Sequence, residues 1–130
     1  MAPLDKYEGT LLGSTVRAAS TSSAAQHNAD ARGVMVILDV TVAPAETLTL
    51  AIEKYIPTSD TWEALTNFGA TASGYTGEKV YILYPGATET TAITDQELAG
   101  IPLPLGKWRV TVTHSAGSDW TYSVSYAYCA

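Results

Sequence analysis

The chain has 130 residues, of which 46% are hydrophobic and 15% are charged, and its formal net charge is −6. A chain of this length forms one domain and can bury a core without a metal or a disulfide. The acidic balance and the thinly spread Lys and Arg residues argue against nucleic acid and against an anionic membrane surface as partners.

Residues 1–13 place a few large apolar side chains on an otherwise polar stretch, so we expect an extended N-terminal arm that orders on contact. The domain proper is predicted to span residues 14–130. No export signal is recognisable at the start, because a charged region followed by a continuous apolar stretch is missing, and we therefore expect the chain to stay in the cytoplasm. Residues 14–31 are small and polar, with a first strand beginning at Thr15 and Val16 and a loop after it.

The first strong strand signal is the alternation from Val34 to Val42. Met35 and Ile37 make its second face apolar as well, which predicts a central strand that is covered on both sides. A short break at residues 43–46 leads to a strand with Leu48, Leu50 and Ile52 on one face, and this spacing favours a hairpin. A third run, around Trp62, follows residues 57–60.

The middle of the chain has weaker signals. Residues 69–77 are rich in small and polar types and are predicted to form an exposed loop. Val80, Ile82 and Tyr84 mark another strand, which Pro85-Gly86 ends. Residues 94–97 (Thr-Asp-Gln-Glu) have the spacing of a capping box and predict a short helical turn that Gly100 closes.

The C-terminal region predicts two strands and a turn. Trp108, Val110 and Val112 alternate with polar residues, and residues 114–119 form a turn. Residues 120–128 then alternate without a break between large apolar and small side chains, as in a half-buried strand. We expect these two strands to form a hairpin.

Six or seven strands and no long helix are therefore predicted. The expected fold class is all-β: a single β-sandwich, Ig-like or jelly-roll-like, or a small barrel of about seven strands, with an extended N-terminal arm. Alternation does not distinguish these possibilities, because it does not report which strands pair.

No catalytic motif is recognisable in the sequence. His27 and His114 lie far apart in the chain, and each is expected to be solvated or bound within a turn; convergence of the two with Asp39 in a metal site is the alternative. Asp39 lies mid-strand and is expected to face solvent or to pair locally with a cation; a glycosidase-like carboxylate pair is the alternative. The candidate cations are Arg32, Lys107 and Arg109. No catalytic residue, metal site or cofactor is predicted.

Cys129 is the only cysteine, so an internal disulfide is impossible. It is expected to be a small apolar residue at the end of a strand, and an intermolecular disulfide is the alternative. Aromatic residues are the one enriched class that could serve a binding function. They are expected to belong to the core, and a protein interface or a sugar-binding platform are the alternatives. These aromatic residues are Trp62, Tyr75, Tyr81, Trp120, Tyr122, Tyr126 and Tyr128.

Six segments in order resemble a family of small structural proteins from the virions of tailed bacteriophages. They are residues 15–28 (TVRAASTSSAAQHN), 32–44 (with RG and VILDVTVAP), 48–53 (LTLAIE), 81–86 (YILYPG), 103–115 (LPLGKWRVTVTHS) and 121–125 (TYSVS). The resemblance covers most of the chain from about residue 14 onward. The first twelve residues depart from the short starts typical of that family.

The resemblance implies an all-β structural part of the particle without enzymatic activity. By analogy with capsid cement proteins, we expect a decoration protein on the outer surface of the head, bound to the major capsid protein and self-associating, with a trimer favoured. Residues 1–13 and the loop 18–31 are expected to make inter-subunit contacts. The candidate interface residues are Leu4, Tyr7, Leu11, Leu12, Arg17 and Arg32. A neck, tail or fibre module of the same kind of particle, or a carbohydrate-binding β-sandwich, are the alternatives.

Overall fold

A computed structural model describes residues 7–88 and 95–130, and these residues form two β-sheets that pack face to face. The strands in the described ranges are β1 (Glu8–Arg17), β2 (Thr21–Ser22), β3 (Gln26–Asn28), β4 (Gly33–Val42), β5 (Leu48–Ile56), β6 (Thr61–Ala64), β7 (Gly77–Leu83), β8 (Gln96–Ala99), β9 (Gly106–His114) and β10 (Trp120–Cys129). The predicted β-sandwich is confirmed.

Sheet A has the strand order β1-β10-β4-β7-β8, and sheet B has the order β2-β9-β5-β6, with β3 also on β9. Neighbouring strands are antiparallel except β7 and β8, which are parallel. β2 and β3 contain only two and three residues, and together they make an interrupted edge strand that the alternation pattern does not signal. Within the ranges described, no helix is long and apolar enough to cross a membrane.

The core consists of the inward side chains of both sheets, in the alternation that the sequence predicts. In β10 the residues Trp120, Tyr122, Val124 and Tyr126 are buried, whereas the residues between them are only partly buried. The same pattern holds for β4, β5 and β9. Each fully buried large apolar side chain stabilises the fold by roughly 1.5–3 kcal/mol.

Both predicted hairpins are wrong. β4 pairs with β10 and β7 in sheet A, whereas β5 pairs with β6 and β9 in sheet B. β9 and β10 likewise belong to different sheets. Each short connection therefore crosses from one sheet to the other, and the apolar faces of sequential strands meet across the core instead of lying side by side.

The N-terminal region differs from the prediction as well. From Glu8 onward the chain forms β1, an edge strand that pairs with β10, so the predicted boundary at residue 13 lies inside a strand. Leu11 is only 8% exposed and belongs to the core. The part of the predicted arm before Tyr7 lies outside the described residues.

The predicted helical turn near residue 97 is also wrong. Gln96–Ala99 form β8, and Leu98 pairs with Ile82 of β7. Glu97 faces inward, where its Oε2 lies 3.3 Å from the Nζ of Lys79. Pairing with an available sheet edge outweighs the four-residue capping signal, whose first residue lies outside the described ranges.

Candidate binding surfaces

The candidate interface residues do not form one patch in the structure. Tyr7 is 46% exposed, and its carbonyl accepts a hydrogen bond from the amide of Tyr128 at 2.7 Å. Arg32 lies near the same end of the sandwich, because its amide donates to the carbonyl of Cys129 at 3.0 Å. Leu11 is buried, Leu12 packs against the core, and Leu4 lies outside the described residues.

Arg17 lies at the opposite end of β1 and acts within the chain. Its guanidinium donates to the carbonyls of Tyr122 and Gly13, both at 2.6 Å, and lies 4.7 Å from the centroid of the Tyr122 ring. The register of β1 against β10 shifts between Leu12 and Thr15. Arg17 therefore fastens this irregular stretch of β1 to β10.

The outward side chains at the centre of β4 and β7 are apolar, as the sequence indicates for β4, but the prediction that the outer face of β4 is covered is wrong for the residues described. The register places Met35 beside Ile82 and Ala127, and Ile37 beside Val80. All are half-buried, and none packs against the core. With Leu98 of β8 they form the surface that we call the sheet A outer face: Met35, Ile37, Val80, Ile82, Leu98 and Ala127.

A depression of about 300 Å³ opens on this face between β1 and β4. Its lining includes Met35 and Ile37 from β4, Ala127 from β10 and Glu8 from β1. Toward the other end of the same sheet, Val16 and Val42 flank Thr121 in the register and are 59% and 57% exposed. A sandwich sheet that faces water usually carries polar residues at such positions.

The charges around the sheet A outer face are negative. Asp39 lies directly opposite Glu78 on the neighbouring strand, and Glu8 is opposite Ala127. No ion pair involves Asp39 in the part of the chain described, and two of its candidate partners, Lys107 and Arg109, belong to sheet B. No outward position in the described strands of sheet A is Lys or Arg. We call Glu8, Asp39 and Glu78 the acidic rim. Like charges at directly opposite positions of neighbouring strands repel, so the pair of Asp39 and Glu78 does not stabilise the sheet.

The outer face of sheet B has a different character, because its charged groups are paired. Arg109 donates to the Oε1 of Glu53 at 2.8 Å, and its guanidinium lies 4.4 Å from the centroid of the Trp62 ring. Trp62 stands opposite Tyr55, with ring centroids 5.4 Å apart. The Nζ of Lys107 lies 4.9 Å from the centroid of the Tyr55 ring.

The hydroxyl of Tyr55 donates to Asp60 at 2.7 Å, and this hydrogen bond raises the pKa of the Tyr55 phenol. Tyr55 is not among the aromatic residues expected to bind from the sequence, although the turn at residues 57–60 followed by Trp62 could have identified it as the cross-strand partner of Trp62. Trp62 and Tyr55 therefore form a half-exposed aromatic pair among charged groups.

Most of the other candidate aromatics belong to the core. Four of them are buried: Tyr81, Trp120, Tyr122 and Tyr126. Tyr75 packs against the core and donates to the carbonyl of Glu78 at 2.8 Å; burial raises the pKa of its phenol to about 12. Tyr128 is half-buried and donates to the carbonyl of His27. Of the seven, Trp62 alone lies on the outer face of sheet B.

The two histidines do not converge. His27 is exposed on β3, whereas His114 is buried at the end of β9, so the expectation of a solvated His114 is wrong. The Nε2 of His114 is 2.8 Å from the hydroxyl of Tyr122, and burial lowers the pKa of its imidazole. Glu46 lies in the same cluster, where it accepts from the amide of Ser118 and from the indole of Trp120. The hydrogen bonds from Ser118 and Trp120 hold the pKa of Glu46 below its usual range.

A cleft of about 580 Å³ lies beside β8, but its charged side chains bind each other. Lys79 pairs with Glu97, whose Oε1 also accepts from the amide of Gly69 at 2.9 Å. Cys129 ends β10 in a half-buried position, where burial raises the pKa of its thiol. Within the described ranges, no group of three or more His, Cys, Asp or Glu side chains could hold a metal ion.

A scan of the chain against protein-family models finds no match, and no curated protein matches it.

Proposed function

We propose that the chain is a structural protein of a tailed-phage particle, a decoration protein that binds the major capsid protein on the outer surface of the head. Its ordered resemblance to small virion proteins supports this. The observation that carries the proposal is the apolar outer face of sheet A, because nothing in the described residues covers its central strands. Apolar patches ringed by polar residues are typical of protein interaction sites.

Self-association, with a trimer favoured, belongs to the same proposal, and its contacts include the N-terminal segment. Since Glu8 to Arg17 form β1 and pair with β10, we assign the N-terminal contacts to residues 1–6, which include Leu4. Removal of residues 1–6 should leave the sandwich folded and reduce the mass measured by light scattering. An unchanged mass would exclude these residues from the contact.

The experiment that tests the proposal uses the phage whose genome encodes the chain. Purified heads and whole particles are imaged by electron cryomicroscopy, and the copy number is measured by mass spectrometry. Many copies on the outer head surface support a decoration protein, whereas density at the neck, tail or fibre supports the alternative position. Absence of the chain from every particle contradicts both.

The Trp62–Tyr55 pair favours one second candidate, a carbohydrate-binding module. Aromatic faces stack on sugar rings, and charged groups beside them can bind hydroxyls. The pair is tilted by 56°, so one ring at a time offers a flat surface.

Trp108 and Trp120 are fully buried, so a change in tryptophan fluorescence on titration with sugars would report mainly on Trp62. A saturable change at millimolar sugar or below that disappears in Trp62→Phe would support this candidate. No change over a panel of neutral and acidic sugars would exclude it.

A further inference from the structure

We propose that the sheet A outer face is the docking surface of this chain, and that the surface it contacts on the capsid presents apolar side chains within a rim of Lys and Arg. This inference rests on the proposed function and deepens it: it assigns the face that binds and the chemistry of the partner.

The contrast between the two sheets identifies the docking face. Both sheets turn one side toward the core and one side away from it. On sheet B the outward side chains of the central strands, apart from Ala51, are polar or paired, as with Arg109 and Glu53. On sheet A the corresponding positions of β4 and β7 are Met35, Ile37, Val80 and Ile82. A sheet face that contacts water usually carries polar residues at its outward positions. The apolar residues at the outward positions of β4 and β7 therefore indicate that a partner binds to sheet A.

Charge determines which partner fits. Glu8, Asp39 and Glu78 border the apolar centre, no cation occupies an outward position of the described strands of the sheet, and the whole chain carries −6. Two copies placed face to face on this surface would bring carboxylates against carboxylates. Such juxtaposition disfavours association, so a second copy is a poor occupant. A partner surface that is apolar at its centre and carries Lys and Arg at its rim would complement both the apolar centre and the carboxylates of the sheet A outer face.

The depression beside β1 is a site on the sheet A outer face where a side chain of the partner could insert. Its volume of about 300 Å³ provides room for an apolar side chain of the partner over β10, with Met35 and Ile37 on one side and β1 on the other. Glu8 lines the same depression, so a Lys or Arg next to that side chain would meet a carboxylate. A buried apolar anchor surrounded by charged contacts is the usual arrangement of interface hot spots.

The test measures binding of the full chain to purified heads that lack it, by cosedimentation at several salt concentrations. Ile37→Lys removes an apolar contact and adds a charge that a basic rim repels, and it should weaken binding about tenfold or more. Its matched control is Thr49→Lys, at a half-buried outward position of sheet B, which should bind within about twofold of wild type.

A second pair of variants tests the charges without altering the apolar centre. Asp39→Asn with Glu78→Gln should weaken binding several-fold and flatten its dependence on salt, because exposed charges are screened by ions. The control is Asp60→Asn with Glu63→Gln, two exposed carboxylates in and directly before β6 of sheet B. Circular dichroism establishes that each variant is folded; if Ile37→Lys is not, the carboxylate variant decides.

The outcomes separate the two proposals. Heads that bind no wild-type chain would contradict the proposed function, and the docking assignment with it. Heads that bind wild type and both sheet A variants equally would overturn the docking assignment alone. The assignment is also overturned if Ile37→Lys disrupts a dimer or trimer of the free chain and leaves head binding unchanged, since a second copy would then occupy the face.

Discussion

Gly33 is the position where a single methyl group should destabilise the sandwich most clearly. It begins β4 and pairs with Cys129, and the backbone of β7 passes close on its other side. In Gly33→Ala the new Cβ would overlap the carbonyl oxygen of Leu83, and would lie 2.8 Å from the Cδ2 and 3.0 Å from the Cα of Tyr84. Ordinary contacts of a Cβ are 3.4–4 Å, so backbone atoms at the end of β7 and directly after it must move away.

The expected cost follows from that geometry. Overpacking a tight site costs about 1–3 kcal/mol, and here backbone rather than a flexible side chain must yield. The lower entropy of the unfolded alanine chain offsets only about 0.4–1 kcal/mol. Because backbone must move, the cost lies in the upper part of this range, and we expect Gly33→Ala to reduce the free energy of unfolding by a net of about 1–2.5 kcal/mol, which for a domain of this size lowers Tm by roughly 4–10 °C.

Urea and thermal unfolding, followed by circular dichroism and tryptophan fluorescence, measure this change. The control is Gly117→Ala, because a Cβ there meets nothing within 4 Å. It should be neutral or slightly stabilising. A Gly33→Ala variant as stable as the control would show that β4 and β7 are not packed as described, and the register beneath the sheet A outer face would be wrong.

Three further predictions follow from the same contacts. Leu11→Ala should lower the free energy of unfolding by about 2–4 kcal/mol in urea titrations, because Leu11 belongs to the core. Its control, Thr10→Ala on the exposed side of β1, should change the free energy of unfolding by less than about 0.5 kcal/mol. Equal effects of the two substitutions would mean that β1 does not pack on the core. Burial lowers the pKa of His114 in the folded state, so the unfolded state binds more protons at acidic pH. Tm should therefore fall as the pH drops below 6.5, the usual pKa of an imidazole, and this fall should be smaller in His114→Gln. The same dependence of Tm on pH in the variant and in wild type would contradict this prediction. The indole of Trp108 donates to the hydroxyl of Tyr128 at 3.0 Å, so Tyr128→Phe should lower the free energy of unfolding by about 0.5–1.5 kcal/mol, and no change in urea titrations would mean that this hydrogen bond is replaced by water.

The candidate docking face was accessible from the sequence only in part. Met35 and Ile37 stand out because both faces of their strand are apolar, and this pattern identifies β4 as a central strand. It cannot report whether a further layer covers the outer face. The acidic rim was not recognisable either, because Glu8, Asp39 and Glu78 are distant in the chain and border one face only through the pairing of their strands within sheet A.

The sequence by itself determined four long strands, β4, β5, β9 and β10, and their inward faces, since a side-chain period of two is a local property of an extended backbone. Tertiary structure alone decided which strands pair: the short connections from β4 to β5 and from β9 to β10 cross between sheets, and β8 joins β7 in parallel. Pairing depends on contacts between distant segments, and the free energy of those contacts outweighs local turn and capping signals.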